Sequence, residues 1–261
     1  MYVTPRYIDR KEIEASGHRL LALETFLKSG VLDWGIVPDE TEKRLTRFIT
    51  QEPNPALWRP LSRLSYAKDA LRRNWRDIAH RPSLESSLDL TLPTVNSGFQ
   101  EKVAQLRGGG ALGPNIPDIR NHGMVSRPSA SGIITRYRDF DDGQEVVSSI
   151  LQYTEFPAAS LADAVRNYMN LLSIHPFSDG NGRTARLFLI HDLRVLYDEN
   201  AYAPINLLCR FAAPSFLHAM RLVSVGSPRW PQKIFEYFTA LFDASAKMKF
   251  DLFENNKIYS S

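Results

Sequence analysis

The sequence predicts a mostly α-helical fold, and three observations lead to that prediction. Apolar residues recur at three- and four-residue steps through most of the chain, as they do on one face of a helix. Only one short stretch has strand-forming residues on both sides of a turn. The chain has 261 residues, of which 43% are hydrophobic and 23% charged, and these values are typical of a globular protein. No run of eighteen apolar residues occurs, so no membrane span is expected.

The first part of the chain predicts three helices followed by loops. Residues 8–29 have a helical apolar pattern that Gly30 ends. Further helices are predicted over 38–50 and 60–80. Residues 81–121 are rich in Pro, Gly and Ser, which favours loops around one short helix at most.

Residues 123–136 predict a β-hairpin, because β-branched or apolar residues lie on both sides of a Pro-Ser-Ala-Ser-Gly turn. Helical patterns then follow to the end of the chain. Ser160 and Asp163 are spaced as a capping box at the start of the second of these helices. The predicted helices are 143–155, 161–174, one that ends near Tyr197, 213–224 and 229–247.

Charge and cysteine content exclude several functions. The net charge is +3, and the basic cluster Leu71–Arg81 is typical of a solvated helix face, so nucleic-acid binding is not expected. Cys209 is the single cysteine, which excludes an internal disulfide and predicts a small buried side chain rather than a nucleophile. The first residues lack an apolar leader, so a cytoplasmic location is expected, with delivery to a host cell by a secretion system left open.

The loop between the helices that end near Ile174 and Tyr197 predicts an anion-binding site. Its end, GNGRTARLFL, opens a helix whose first N–H groups have no internal partner and lie at the positive end of the helix dipole. Gly180 and Gly182 allow a tight turn and a close approach by phosphate. Arg183 and Arg186 are three residues apart, so both can reach its oxygens.

Two further side chains of this loop suggest phosphate-transfer chemistry. Asp179 lies at the mouth of the anion site, where a carboxylate beside phosphates is most simply a Mg²⁺ ligand. His175 is a base four residues earlier. Phe177 lies between polar residues and is expected to anchor the loop on the core. The sequence GNGRTA also fits a dinucleotide-binding pattern, but that pattern must follow a buried strand, and here a helix precedes it.

The assembled string HPFSDGNGRTAR resembles the motif H-x-F-x-[D/E]-G-N-G-R-x-x-R of the Fic (filamentation induced by cAMP) family, without a gap or substitution. The hairpin at 123–136 lies where that family places a target-binding flap. Arg229–Ala246 is similar to its C-terminal helix. The resemblance covers about 120–250 and implies a Fic-type helical bundle with a β-hairpin flap near the active site. It leaves 1–119 as an N-terminal helical region with a Pro/Gly-rich linker, and 251–261 as a tail.

The resemblance implies a protein adenylyltransferase, which transfers AMP from ATP to a Ser, Thr or Tyr hydroxyl of a target protein and of itself. In that reaction His175 would deprotonate the hydroxyl, and the oxygen would attack the α-phosphate. The target segment would add as a strand to the flap near 123–136.

The family assigns the other motif positions to the nucleotide. Asp179 would hold Mg²⁺. Asn181 and the amides of 180–182, with Gly180 and Gly182, would hold the α- and β-phosphates. Arg183 would stabilise the leaving phosphates, and Arg186 would bind the γ-phosphate.

Many family members are inhibited by a glutamate in the pattern [S/T]-x-x-x-E-[G/N], which pairs with the second motif arginine. This chain contains no full match. Glu254, followed by Asn255, and Glu14, followed by Ala15, are the nearest candidates, and Glu254 keeps more of the pattern. Control by a separate antitoxin chain is a third alternative.

Other activities stay open from the sequence. The same site could transfer UMP, phosphocholine or another phosphate-containing group, or remove AMP where a glutamate positions water. The intact G-N-G core argues against the kinase-like branch of the family. A catalytically inactive nucleotide-binding scaffold is the alternative that is not an enzyme, although such members usually lose the histidine or an arginine.

Overall fold

The computed structural model describes residues 2–29, 120, 123–126, 134–177, 181–197, 208–209 and 212–249. Of these residues 66% are helical, which confirms the mostly α prediction. The predicted helices over 38–50 and 60–80, the loops to residue 119 and the tail 251–261 lie outside them. The elements in chain order are β1 (Tyr2–Val3), α1 (Arg10–Glu14), α2 (Gly17–Leu27), β2 (Ile134–Thr135), α3 (Gly143–Tyr153), α4 (Leu161–Ile174), α5 (Asn181–Tyr197), α6 (Ala213–Ser224) and α7 (Trp230–Lys249).

The single helix predicted over 8–29 is two helices, α1 and α2. The Ser16 N–H bonds the carbonyl of Ile13, which closes the end of α1, and the Arg19 N–H bonds the Ser16 carbonyl to begin α2. Ser16 and Gly17 are weak helix formers, so the break lies where a continuous helix is least favoured. The break lets Ile13 and Leu27, both fully buried, enter one core.

Helix α4 is the centre of the fold and is buried along nearly its whole length. It packs against α5, and against α1, α2 and α3. Ser160 caps it by accepting the Asp163 N–H at 3.2 Å, as predicted. The Asp163 carboxylate is fully buried, and it accepts the Ser160 hydroxyl at 2.7 Å and Arg10 at 3.1 Å.

One apolar core joins α4 and α5 to the C-terminal helices and to residues 8–27. Aromatic rings contributed by α4, α6 and α7 pack edge to face or tilted at 4.9–6.0 Å. These rings belong to Tyr168, Phe216, Tyr237, Phe238 and Phe242. The core therefore holds α4 from several sides.

The hairpin arms predicted within 123–136 pair antiparallel through a bridge between Val125 and Arg136. The turn at 127–133 lies outside the described residues. A strand that the sequence analysis missed, β1, pairs in parallel with β2, with Val3 opposite Thr135. None of the helices in the described ranges is long and apolar enough to cross a membrane.

Candidate active site

His175 is the residue that ends α4, and it has a left-handed backbone. Its φ is 52° and its ψ 59°, while its N–H still bonds the Leu171 carbonyl at 3.0 Å. A residue with a Cβ in this region costs about 1–3 kcal/mol and persists only where its surroundings fix it. The left-handed cap ends the helix and turns the chain into the loop of the motif. The geometry at His175 is therefore imposed by tertiary contacts.

Arg120 supplies those contacts. Its guanidinium donates to the carbonyl of His175 at 2.6 Å and to that of Ile174 at 2.9 Å. It also bonds the Arg138 carbonyl at 2.7 Å, and its backbone N–H bonds the Pro176 carbonyl at 2.9 Å. The side chain is only 1% exposed, and burial lowers its pKa. Arg120 therefore ties the end of α4 to the segment that follows the flap.

Tyr137, which follows β2 in the flap, stacks on His175. The two ring centroids are 4.0 Å apart, and the ring planes differ by 23°. The Tyr137 N–H bonds the Met124 carbonyl at 2.9 Å, which joins this ring to the first hairpin arm. Burial raises the pKa of the phenol, so Tyr137 stays neutral at physiological pH.

Asn181 fixes Phe177, the second residue after His175. Its side-chain Oδ1 accepts the Phe177 N–H at 2.8 Å, and its Nδ2 donates to the Phe177 carbonyl at 2.7 Å. Phe177 is 1% exposed and belongs to the core, which confirms its predicted role as an anchor. The resemblance assigned Asn181 to the phosphates. In the structure its side chain bonds the backbone of Phe177, and a contact of Asn181 with phosphate stays a prediction.

Gly182 and Arg186 are in close contact at the start of α5. A Cβ added to Gly182 would lie 3.2 Å from Nη1 of Arg186, which is tighter than most contacts that a Cβ makes. The glycine therefore gives the arginine room to fold back toward the helix N-terminus. This use of Gly182 comes in addition to the tight turn that the sequence predicted.

A cavity of about 290 Å³ brings the site together. His175, Gly182 and Arg186 line one part of it, and Thr135 and Tyr137 of the flap line another. Apolar side chains of α6 form a wall, and Arg221 lies on the same helix. The wall of α6 consists of Phe216, Leu217 and Met220, and Val3 and Pro5 also line the cavity.

Three residues of this site were missed by the sequence analysis: Arg120, Tyr137 and Arg221. Arg120 and His175 are 55 positions apart, and no local pattern links them. Arg221 lies within a correctly predicted helix, where an arginine is typical of a solvated face. Its Nε is buried without a hydrogen-bond partner among the described residues. Cys209 is buried, as predicted, and also lines the cavity.

Several predicted site residues lie outside the described part of the chain: Asp179, Gly180, the side chain of Arg183, and Glu254. No group of three His, Cys, Asp or Glu side chains suited to a metal ion occurs in the described ranges. Mg²⁺ is commonly held by one or two carboxylates together with substrate phosphates, so the prediction for Asp179 does not require such a group.

Glu14 lies away from the cavity. It pairs with Arg10 at 2.7 Å, and Arg10 also bonds Asp163 in the first turn of α4. His175 ends the same helix, which has 14 residues and is therefore about 20 Å long. The contact that Glu14 makes is thus at the opposite end of α4 from the site, and its inhibitory role stays a prediction.

Comparison with known proteins identifies the domain. Residues 116–193 match the model of the Fic/DOC family. The chain is similar in fold to a Fic family protein from Desulfovibrio desulfuricans G20, with a TM-score of 0.50 and 16% sequence identity over 94% of this chain and 76% of that one.

A curated protein also matches part of the chain. The ribonucleoside-diphosphate reductase small chain of Ostreid herpesvirus 1 is 43% identical over 71 residues, which cover 26% of this chain and 11% of that protein. The chain thus corresponds to about a tenth of that relative's length. The family match, the similar fold and the motif carried at the end of α4 together show that the chain contains a Fic domain, a type of domain whose proteins are generally transferases.

Proposed function

We propose that the chain is a protein adenylyltransferase, which transfers AMP from ATP to a Ser, Thr or Tyr hydroxyl of a target protein. One observation carries this proposal: His175, Gly182 and Arg186 line the same cavity as Thr135 and Tyr137 of the flap. A base, a cation at a helix N-terminus and a strand-bearing flap are the parts that this reaction needs.

The base and the acceptor would meet at the flap side of the cavity. His175 takes the proton of the acceptor hydroxyl while the hydroxyl oxygen forms a bond to the α-phosphorus of ATP. The bond from that phosphorus to the bridging oxygen of pyrophosphate breaks, and pyrophosphate leaves. The stack with Tyr137 and the bonds from Arg120 to the backbone keep the imidazole in place. The imidazole therefore loses little conformational freedom when the acceptor binds.

The phosphates would bind where α5 begins. The first N–H groups of that helix, the contact of Arg186 with Gly182, and Arg183 on the same turn supply positive potential. Asp179 would hold Mg²⁺, which neutralises charge on the departing pyrophosphate. The apolar wall of Phe216, Leu217 and Met220 suits a flat heterocyclic base packed against α6.

The decisive experiment uses purified chain with each labelled nucleoside triphosphate in turn, with and without Mg²⁺, and reads intact mass. A gain of one adenosine monophosphate with ATP is expected. A mass gain with UTP and not with ATP would mean that UTP is the donor in place of ATP. Transfer of a phosphate without a nucleoside would overturn the proposal. Binding calorimetry of Asp179→Ala should show that Mg²⁺ no longer strengthens ATP binding. If wild type binds ATP equally with and without Mg²⁺, the carboxylate has another role.

A further inference from the structure

The strand β1 occupies an edge of the flap. Arg136 of the second hairpin arm donates its N–H to the Val3 carbonyl at 2.9 Å. The same arm uses its other edge for the first arm, where Ser126 donates to the Thr135 carbonyl at 2.7 Å. Both edges of the second arm are therefore paired. The edge that β1 covers is the one beside the cavity, because Val3 and Pro5 line that cavity.

Segment 2–5 turns its hydroxyl groups away from His175. Val3 is 8% exposed and, with Pro5, faces the cavity that His175 lines. Tyr2 is 67% exposed, and Thr4 is also exposed. This alternation is that of a strand, in which neighbouring side chains point to opposite faces. The face toward the base consequently carries only side chains without a hydroxyl, and the two hydroxyl-bearing side chains lie on the other face.

The residues that follow segment 2–5 anchor it firmly. Arg6 donates to the Val223 carbonyl at 3.0 Å and forms a two-pronged pair with Glu12 at 2.7 and 3.0 Å. Ile8 exchanges backbone bonds with the Asn170 side chain at 2.9 and 3.0 Å. Because segment 2–5 is joined directly to these anchored residues, its effective concentration at the flap is on the order of millimolar.

An open strand edge beside a cavity is a binding site for an extended peptide, which pairs through its backbone and places alternate side chains in the cavity. We infer that segment 2–5 is an intramolecular pseudosubstrate, which occupies the acceptor edge of the flap and presents Val3 where an acceptor hydroxyl would lie. This inference rests on the proposed function. It also describes the acceptor: an extended segment of the target protein with Ser, Thr or Tyr at the position equivalent to Val3.

The first test asks whether the edge can be opened. Val3→Asp places a charge on the buried face, and Thr4→Asp makes the same charge change on the exposed face as the matched control. In Val3→Asp the Arg136 amide should exchange hydrogen at least about tenfold faster than in wild type, and in Thr4→Asp it should not. A fluorescent peptide with the sequence of residues 1–8 should then bind to the Val3→Asp variant but not to wild type or Thr4→Asp. Unchanged exchange with no peptide binding would refute the occupancy of the edge.

The second test converts the pseudosubstrate into a substrate. Val3→Thr keeps the β-branched shape and adds a hydroxyl on the cavity side. With ATP and Mg²⁺, fragment mass spectra should place AMP on residue 3 of this variant, while Tyr2 and Thr4 of wild type stay unmodified. Self-labelling elsewhere, with none at residue 3, would show that the segment is not in the acceptor position. If the peptide binds Val3→Asp but no variant transfers any nucleotide, the proposed function fails and the occupancy of the edge stands.

Discussion

Replacing Arg120 with methionine tests whether this side chain fixes the geometry at His175. Methionine keeps the length of the arginine and most of its packing but cannot donate a hydrogen bond. The substitution leaves three carbonyl oxygens, those of Ile174, His175 and Arg138, without the donor that serves them. The Arg120 guanidinium also lies over the Phe140 ring at 4.7 Å, and that contact is lost as well.

The size of the effect follows from the burial of these groups. Each buried acceptor left without its partner costs about 1–3 kcal/mol. Removing the buried guanidinium also removes its desolvation cost, which offsets part of that loss. We therefore expect Arg120→Met to lower the free energy of unfolding by about 3 kcal/mol, a large share of the roughly 5–15 kcal/mol of a typical domain. With a urea dependence of about 2 kcal/mol per molar, the midpoint falls by about 1.5 M.

The matched control is Arg136→Met, in the neighbouring arm of the flap. The Arg136 side chain is 61% exposed and pairs only loosely, at 3.3 Å, with Asp139, so its loss should cost less than about 1 kcal/mol. Equal urea midpoints for the two variants would refute the reasoning. Arg120 is a positioning residue, so Arg120→Met should also lower the rate of AMP transfer at saturating ATP in conditions where the variant stays folded. Unchanged transfer there would limit Arg120 to a role in stability.

Three further predictions concern the base, the phosphate end of the site and the anchor of segment 2–5. His175→Ala should lower AMP transfer by about 10²–10⁴-fold and leave ATP affinity nearly intact, as labelling and calorimetry would show. Gly182→Ala should weaken ATP binding by about threefold, because Nη1 of Arg186 must move a few tenths of an ångström to make room for the Cβ, whereas Gly17→Ala, with open space around it, should not change ATP binding. The hydrogen bond with Arg6 lowers the pKa of Glu12 below 4.5 in the folded protein. The stability that this pair contributes is therefore fully present above about pH 4.5 and is lost as the pH falls through the lower folded pKa. Urea midpoints of wild type and Glu12→Gln should therefore differ at pH 7, and the difference should shrink as the pH is lowered through the folded pKa of Glu12; a difference that stays constant as the pH falls would contradict the assignment.

The sequence predicted the helices of the described regions because their signals are local. Apolar spacing marks α3 to α7, and the Ser160 cap lies where the pattern begins. The motif from His175 to Arg186 could be read because it is contiguous and its chemistry follows from residue type. The break at Ser16 was missed because the apolar pattern continues across it. Helix propensity there is weak, and the buried positions on both sides determine the turn.

The contacts that shape the site could not be predicted in the same way. Arg120 acts on backbone oxygens, which carry no sequence signal, at residues more than fifty positions away. Strand β1 has two residues, which is too short for an alternating pattern, and it pairs with a strand more than a hundred positions later. In the sequence Tyr137 is typical of a strand, and only the structure shows that its ring stacks on His175. These features depend on long-range pairing.

The backbone directions in the second flap arm explain how an acceptor could replace β1 without disturbing the base. Arg136 directs its N–H to Val3, whereas Tyr137, the next residue, directs its N–H to Met124 in the opposite arm. Removing β1 therefore breaks the first bond and leaves the second. The ring of Tyr137 stays held by the hairpin, and through the stack so does His175. Arg120 holds the backbone of His175 through bonds that do not involve β1. An acceptor strand that replaces β1 therefore leaves in place both contacts that support the base, the bonds from Arg120 and the stack with Tyr137.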